Sequence, residues 1–162
     1  MPYAEPAWLV EDFHSPYYSD SHRRLQREMR VFTEKYVLPV AEKCEVSGER
    51  PDVELVKLMG ANGLNAMRLG PGKHLAGRKL FADIKPEEFD YFHELIITQE
   101  LSRCGTRGFM DALQGGMVIG LPPVINFGSD EMKREIVEPV FRGEKFICLL
   151  YTSDAADDLL CV

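Results

Sequence analysis

Apolar residues return at three- and four-residue steps through Leu25, Met29, Phe32, Tyr36 and Val40, while Arg23, Arg24, Arg27 and Glu34 lie off that line. This is the period of an amphipathic helix. Ser19 or Ser21 can cap its first N–H groups, and the pattern lasts to about Val46. Pro39 predicts a kink, because its ring meets the carbonyl of Lys35 and it has no N–H to donate. After the turn Ser47-Gly48-Glu49-Arg50-Pro51, a second helix carries Val53, Leu55, Val56, Leu58 and Met59 and stops at Asn62-Gly63. Residues 64–86 hold Gly70, Pro71, Gly72, Gly77 and Pro86 without a sustained period, which predicts a long loop. A third helix spans about Pro86 to Cys104, with Glu87, Glu88 and Asp90 in its first turn. Its second half is apolar on more than one side.

Between Gly108 and Phe127 the only charged residue is Asp111, and such a run is expected inside the protein as its most buried helix. It reads as helical to Gly120, after which Leu121-Pro122-Pro123 predicts a sharp turn. The next helix, Asp130 to about Phe141, is expected to break at Pro139. The apolar run Lys145 to Leu150 reads as one short strand. The fold class is therefore all-α, with at most one short strand at the C-terminal end.

Gly115, Gly116 and Gly120 each cost a helix about 1 kcal/mol relative to alanine, so something offsets them. On a regular helix Ala112, Gly115, Gly116 and Ile119 fall at i, i+3, i+4 and i+7, one face of small groups beside one branched side chain. Two readings stand. Another backbone crosses closely over the glycines, or the missing side chains leave room for a ligand.

The 162 residues, 45% hydrophobic and 28% charged, suit one domain with a real core. A net charge of −7 argues against nucleic acid as the main partner. Cys44, Cys104, Cys148 and Cys161 are scattered and show no metal spacing, so they read as reduced thiols. The first residues lack a basic n-region with an apolar core behind it, so no signal peptide is expected, and no apolar run is expected to reach the length of a membrane span. The expectation is a soluble protein of a reducing compartment. Trp8, Phe13, Tyr17 and Tyr18 predict that residues 1–18 form an arm packed on a surface.

Other candidate chemistry is thin. Gly70-Pro71-Gly72-Lys73 lacks the spacing of a phosphate loop and any strand before it. Arg23, Arg24 and Arg27 read as a solvated face rather than an anion site. His93 could serve as a base or ligand, but with no histidine or cysteine near it in sequence it reads as a hydrogen-bonded core or boundary residue.

Residues 21–149 resemble the N-terminal helical domain of the flavin-dependent acyl-CoA dehydrogenases. The likeness rests on Gln99-Glu100-Leu101-Ser102-Arg103, on Gly120-Leu121-Pro122-Pro123-Val124-Ile125-Asn126-Phe127-Gly128-Ser129-Asp130-Glu131-Met132-Lys133, and on the stretch from Pro139 to Leu149. Lys85 to Glu94, with Gln114-Gly115-Gly116-Met117, looks like the fungal branch. The resemblance implies residues 19–144 as the helical domain and 145–149 as the start of a middle β-domain. It also implies FAD as cofactor, acyl-CoA as substrate and a homo-oligomer at full length. A glutamate in a C-terminal helical domain would remove the α-proton, and the β-hydrogen would leave as hydride to the flavin. The N-terminal helices would do no chemistry and would wall the acyl-chain pocket, with Ala112, Gly115, Gly116 and Ile119 facing the chain.

The end of the sequence departs from the family pattern. Where the resemblance calls for a Thr/Ser-Glu-x-x-Ala-Gly-Ser-Asp motif lining flavin and thioester, the chain reads Thr152-Ser153-Asp154-Ala155-Ala156-Asp157-Asp158. Asp157 and Asp158 would repel an anionic pyrophosphate, so residues 150–162 read as a non-native tail, and the chain alone is expected neither to hold FAD nor to turn over. Two other classes stay open: a helical interaction module without catalysis, and a related flavoenzyme such as an acyl-CoA oxidase.

Overall fold

The computed structural model describes residues 5–9 and 14–147, and within these every regular element is helical. Residues 145–147 form no strand, and the remainder of that expectation, with the tail, lies outside the described residues.

The first helix, α1, covers residues 20–47 in three continuous parts: Asp20–Phe32, a π turn at Thr33–Val37, and Leu38–Ser47. The N–H of Leu38 reaches back five residues to the carbonyl of Thr33. Pro39 is thus met by a widened turn immediately before it, and the helix runs on to Ser47, close to the predicted end at about Val46. The extra residue also moves the buried face. Leu25, Met29 and Phe32 are followed inside by Val37, Ala41 and Cys44, whereas Tyr36 is 39% exposed and Val40 only half-buried. A strict 3.6-residue period had put Tyr36 and Val40 on that line.

α2 (Val53–Ala61) begins at Asp52, whose carboxylate accepts the Glu54 N–H at 3.0 Å. The expected loop after it is far from bare. It contains the short helix α3 (Leu64–Met67) and two single turns, Lys73–Leu75 and Phe81–Asp83, and it buries Leu75, Leu80 and Ile84. The next helix, α4 (Tyr91–Ser102), starts later than the acids suggested. Asp90 is its cap rather than a first-turn residue, and Glu87 and Glu88 belong to the preceding turn.

The long apolar run forms one helix, α5 (Arg107–Phe127), which passes straight through Pro122 and Pro123. The expected turn does not occur there. Both prolines keep helical backbone, Leu121 beside them is fully buried, and the Asn126 amide donates to the Pro122 carbonyl at 2.9 Å. α5 contains its own π turn, Asp111–Gly115. α6, residues 130–141, likewise stays whole, with a π turn at Lys133–Val137 just before Pro139.

α5 is not the most buried helix. Phe109, Leu113, Gln114, Met117 and Leu121 face the core, while Ile119 is 58% exposed and Phe127 87% exposed. The innermost element is α4, where Ile96, Ile97 and Leu101 are fully buried beside α1. At 21 residues α5 is also long and apolar enough to cross a membrane by length and composition, contrary to the sequence expectation, which had ended it at Gly120. Its inward face is nevertheless packed on helices of this domain.

The arm is docked. Trp8 is buried and stacks on Tyr18 with ring centroids 4.2 Å apart, and its carbonyl accepts from Arg23. Glu5 takes two hydrogen bonds from Arg30, at 2.6 and 2.9 Å.

At the other end of the domain, α2, α3 and α6 meet backbone to backbone. Asn65 donates to the carbonyls of Val56 and Phe141, at 3.1 and 3.0 Å. A Cβ on Gly60 would stand 2.5 Å from the Phe141 carbonyl oxygen, and one on Gly143, whose φ is +72°, would stand 2.7 Å from the backbone of Val56. Gly60→Ala should therefore destabilise the domain by about 1–3 kcal/mol, although alanine is the better helix former. Gly115→Ala, where the nearest atom is the Asp111 Cβ at 3.9 Å, should stabilise by up to about 1 kcal/mol. Urea unfolding of residues 1–162 checks the opposite signs.

Candidate functional site

α5 carries the four residues singled out in the sequence, and its π turn separates them. Ala112 is exposed and Gly116 half-buried, and both line one narrow groove with Val56, Gln114, Phe146 and Ile147. Gly115 and Ile119 are not among its lining residues. The face drawn at i, i+3, i+4 and i+7 presumed an unbroken period, and the π turn Asp111–Gly115 interrupts it. Nothing among the described residues crosses Gly115.

Behind the groove lies a buried polar group that the sequence reading missed. Arg68, the residue after α3, has a side chain only 11% exposed. Its Nε donates to the Gln114 Oε1 at 2.6 Å, and its Nη1 donates to Glu94 and, at 2.5 Å, to the Thr98 hydroxyl. Thr98 in turn donates to Glu94 at 2.9 Å. Burial draws the Arg68 pKa below its ordinary value, and the Glu94 carboxylate opposes that shift. An arginine under such conditions stays charged. The available signal was weak: glutamate and threonine at i and i+4 on one face of α4.

A wider cleft of about 340 Å³ opens between residues 69–74 and the last turns of α5, lined by Leu69, Pro71, Lys73, Pro122 and Asn126 among others. The Gly70-Pro71-Gly72-Lys73 run sits here in irregular chain, with no strand before it and no long helix behind it. It therefore has neither the helix terminus nor the strand that a phosphate loop needs.

His93 is paired with a histidine far away in sequence. His22, Asp90 and His93 bring three ligand-type atoms within 4.8 Å of one another. Their geometry is that of a helix joint. The two imidazoles stack with centroids 3.6 Å apart, so their in-plane lone pairs run side by side instead of converging on one ion. Ser19 N–H donates to the His22 Nδ1 at 3.0 Å, which leaves the His22 Nε2–H to donate to Asp90 Oδ1 at 3.0 Å. His93 Nδ1 lies 2.8 Å from the same oxygen and 3.2 Å from the Asp90 N–H, and its Nε2 lies 2.9 Å from the Ser21 hydroxyl. The N–H groups of Phe92 and His93 also donate to Asp90 Oδ1, at 2.9 and 3.0 Å. The sequence does carry the pattern: a capping residue with histidine three positions on, at Ser19/His22 and again at Asp90/His93.

Burial raises the Asp90 pKa, but the donors, His22 first, outweigh it and hold the carboxyl below its ordinary value near 3.8. Burial keeps the His93 pKa below its ordinary 6.5, with Asp90 partly opposing. Both folded-state pKa values are depressed, so the unfolded chain binds the extra proton first, and stability falls as pH falls. Unfolding free energy should decline from about pH 6.5 downward as His93 protonates in the unfolded state, and again below about pH 4 as Asp90 does. His93→Gln should flatten the upper decline, at a cost of about 1–3 kcal/mol at pH 7. Urea titrations at a series of pH values check both, and an unchanged slope in the variant would place the titration elsewhere.

The comparisons with known proteins agree with this architecture. The family model for the acyl-CoA dehydrogenase N-terminal domain matches residues 19–144. The chain is 36% identical to the acyl-CoA dehydrogenase AFT10-1 of Alternaria alternata over 92% of its own length, and 32% identical to the acyl-CoA dehydrogenase apdG of Emericella nidulans over 98%. It is 30% identical to the mitochondrial short-chain specific acyl-CoA dehydrogenase of Bos taurus over 87%. It spans 35%, 37% and 32% of these relatives, about a third of each. No solved structure gives a significant match. By its helical fold and by the match over residues 19–144, the chain belongs to the acyl-CoA dehydrogenase family, of which it supplies the N-terminal helical domain.

Proposed function

We propose that this domain serves an enzyme that oxidises the α–β carbon bond of an acyl-CoA thioester, and that its own part is to form one wall of the acyl-chain pocket. The observation that carries the reading is the groove beside α5, where Ala112 and Gly116 offer little side-chain volume and Val56, Phe146 and Ile147 supply apolar surface. A saturated chain needs such a surface, and with about 30 Å³ of its own the groove would be one wall of the pocket rather than the whole of it. Gly115 and Ile119, on the more open side of the helix, would complete the wall against parts of a longer protein. FAD would supply the hydride acceptor. Asp157 and Asp158 put carboxylates in the sequence where the family motif has small neutral residues, so the flavin would be held by other residues of a longer protein, as would the base that takes the α-proton. A homo-oligomer is part of the same proposal.

The test compares residues 1–162 with the longer natural reading frame that carries residues 1–149. The longer protein should bind flavin and reduce a dye in the presence of acyl-CoA, and the shorter should do neither. Flavin binding without turnover of any acyl-CoA would favour a different flavoenzyme. In the longer protein Gly116→Leu should shift preference toward shorter chains by about tenfold or more, since an isobutyl group fills the groove, while flavin stays bound. An unchanged chain-length profile in a folded variant would remove Gly116 from the pocket wall.

A further inference from the structure

Three buried polar atoms among the described residues lack a hydrogen-bond partner: the hydroxyls of Thr33 and Thr106, and the amide Nε2 of Gln114. Of these, Gln114 lines the groove that holds Ala112 and Gly116. Its orientation is forced. The Arg68 Nε can only donate, at 2.6 Å, so the amide oxygen must face it and the NH2 must turn away. Arg68 is itself fixed by Glu94 and Thr98, so the amide cannot swing round to relieve the orphaned donor.

An unpaired buried N–H group is destabilising, and buried polar groups are nearly always paired. The groove has about 30 Å³ of room, enough for one or two atoms of oxygen size. We infer that Gln114 is a specificity residue whose Nε2 donates to a hydrogen-bond acceptor on the acyl chain, so that the preferred thioesters carry an oxygen, as ketone or hydroxyl, beyond the reacting α–β bond. The inference rests on the acyl-pocket reading above and goes beyond it. An apolar wall accepts any chain that fits, whereas a wall with a fixed donor discriminates against a plain chain that leaves the donor unpaired. Arg68 acts through Gln114 as a positioning residue.

The experiment uses the longer flavoenzyme and straight-chain acyl-CoA thioesters of one length, either plain or with a ketone at successive carbons past the β-position. One ketone position should be favoured over the plain chain by about tenfold in kcat/KM. Gln114→Glu keeps an acceptor for Arg68 but replaces the donor with a carboxylate, and it should erase or invert that ratio. Gln114→Met, which has no donor, should bring the ratio to about one. A purely structural glutamine, or one satisfied by a bound water, would lower both rates together and leave the ratio alone, which overturns the inference while the acyl-CoA reading stands. A wild-type enzyme that turns over plain chains and prefers no ketone position overturns it without any variant. Absence of turnover with every thioester overturns the function and this inference with it.

Discussion

Two helices that run in the same direction place their N-termini, each carrying a partial positive charge, side by side. α1 and α4 do this, and the carboxylate of Asp90 sits between them as the shared counter-charge, taking donors from both helix starts. Much of the domain follows from that joint. Once His22 is set beside His93, Gln26 and Arg30 fall opposite Glu100, which accepts from Gln26 at 2.9 Å and from Arg30 at 2.7 Å. Arg30 then holds Glu5, so the arm before α1 is tied to the same seam. The pairing also fixes how α4 is rotated, with Ile96 and Ile97 inward and Glu94 and Thr98 turned toward Arg68. The most buried charge pair of the seam is Arg30 with Glu100, and removing one partner of such a pair typically costs about 3–5 kcal/mol.

α5 stands at the opposite extreme. One side is fastened through Leu113, Gln114, Met117 and Leu121, and the other shows Ile119 and Phe127 to solvent. Met132 and Phe146 add to that apolar exposure. Surface of this kind on a single domain marks a face that works against something else. Fixed hydrogen bonds behind α5 and open apolar surface in front of it give the groove one rigid wall. That arrangement suits a pocket completed from outside the domain.

The helices and their order were largely legible in the sequence, because apolar periodicity and capping residues are local signals. α1 was visible in Leu25, Met29 and Phe32, and α6 in Ser129 and the acids after it. Four things were not legible, each for a physical reason. Pro39 was read as a kink and Pro139 as a break, whereas a π turn lies ahead of each and the helix runs on through the proline. The charge-poor run of α5 was read as interior, but composition says only that a surface avoids water and not which chain covers it. The buried polar pairs, Arg68 with Gln114 and His22 with His93, join residues 46 and 71 positions apart, and no periodicity reports such pairs. The candidate positions Ala112, Gly115, Gly116 and Ile119 depended on a helical wheel that the turn at Asp111–Gly115 interrupts.

Those π turns bear on how the chain should be aligned with its relatives. A turn that spans five residues to the next hydrogen bond stores one surplus residue, and the flanking α-helical segments keep their own packing on either side of it. Thr33–Val37, Asp111–Gly115 and Lys133–Val137 are thus places where a helix can gain or lose a residue without moving the core. At identities near 30%, a one-residue gap between this chain and a relative belongs inside such a turn as readily as in a loop. A gap forced out to a neighbouring loop instead would leave every residue comparison between that loop and the turn one place off its structural counterpart.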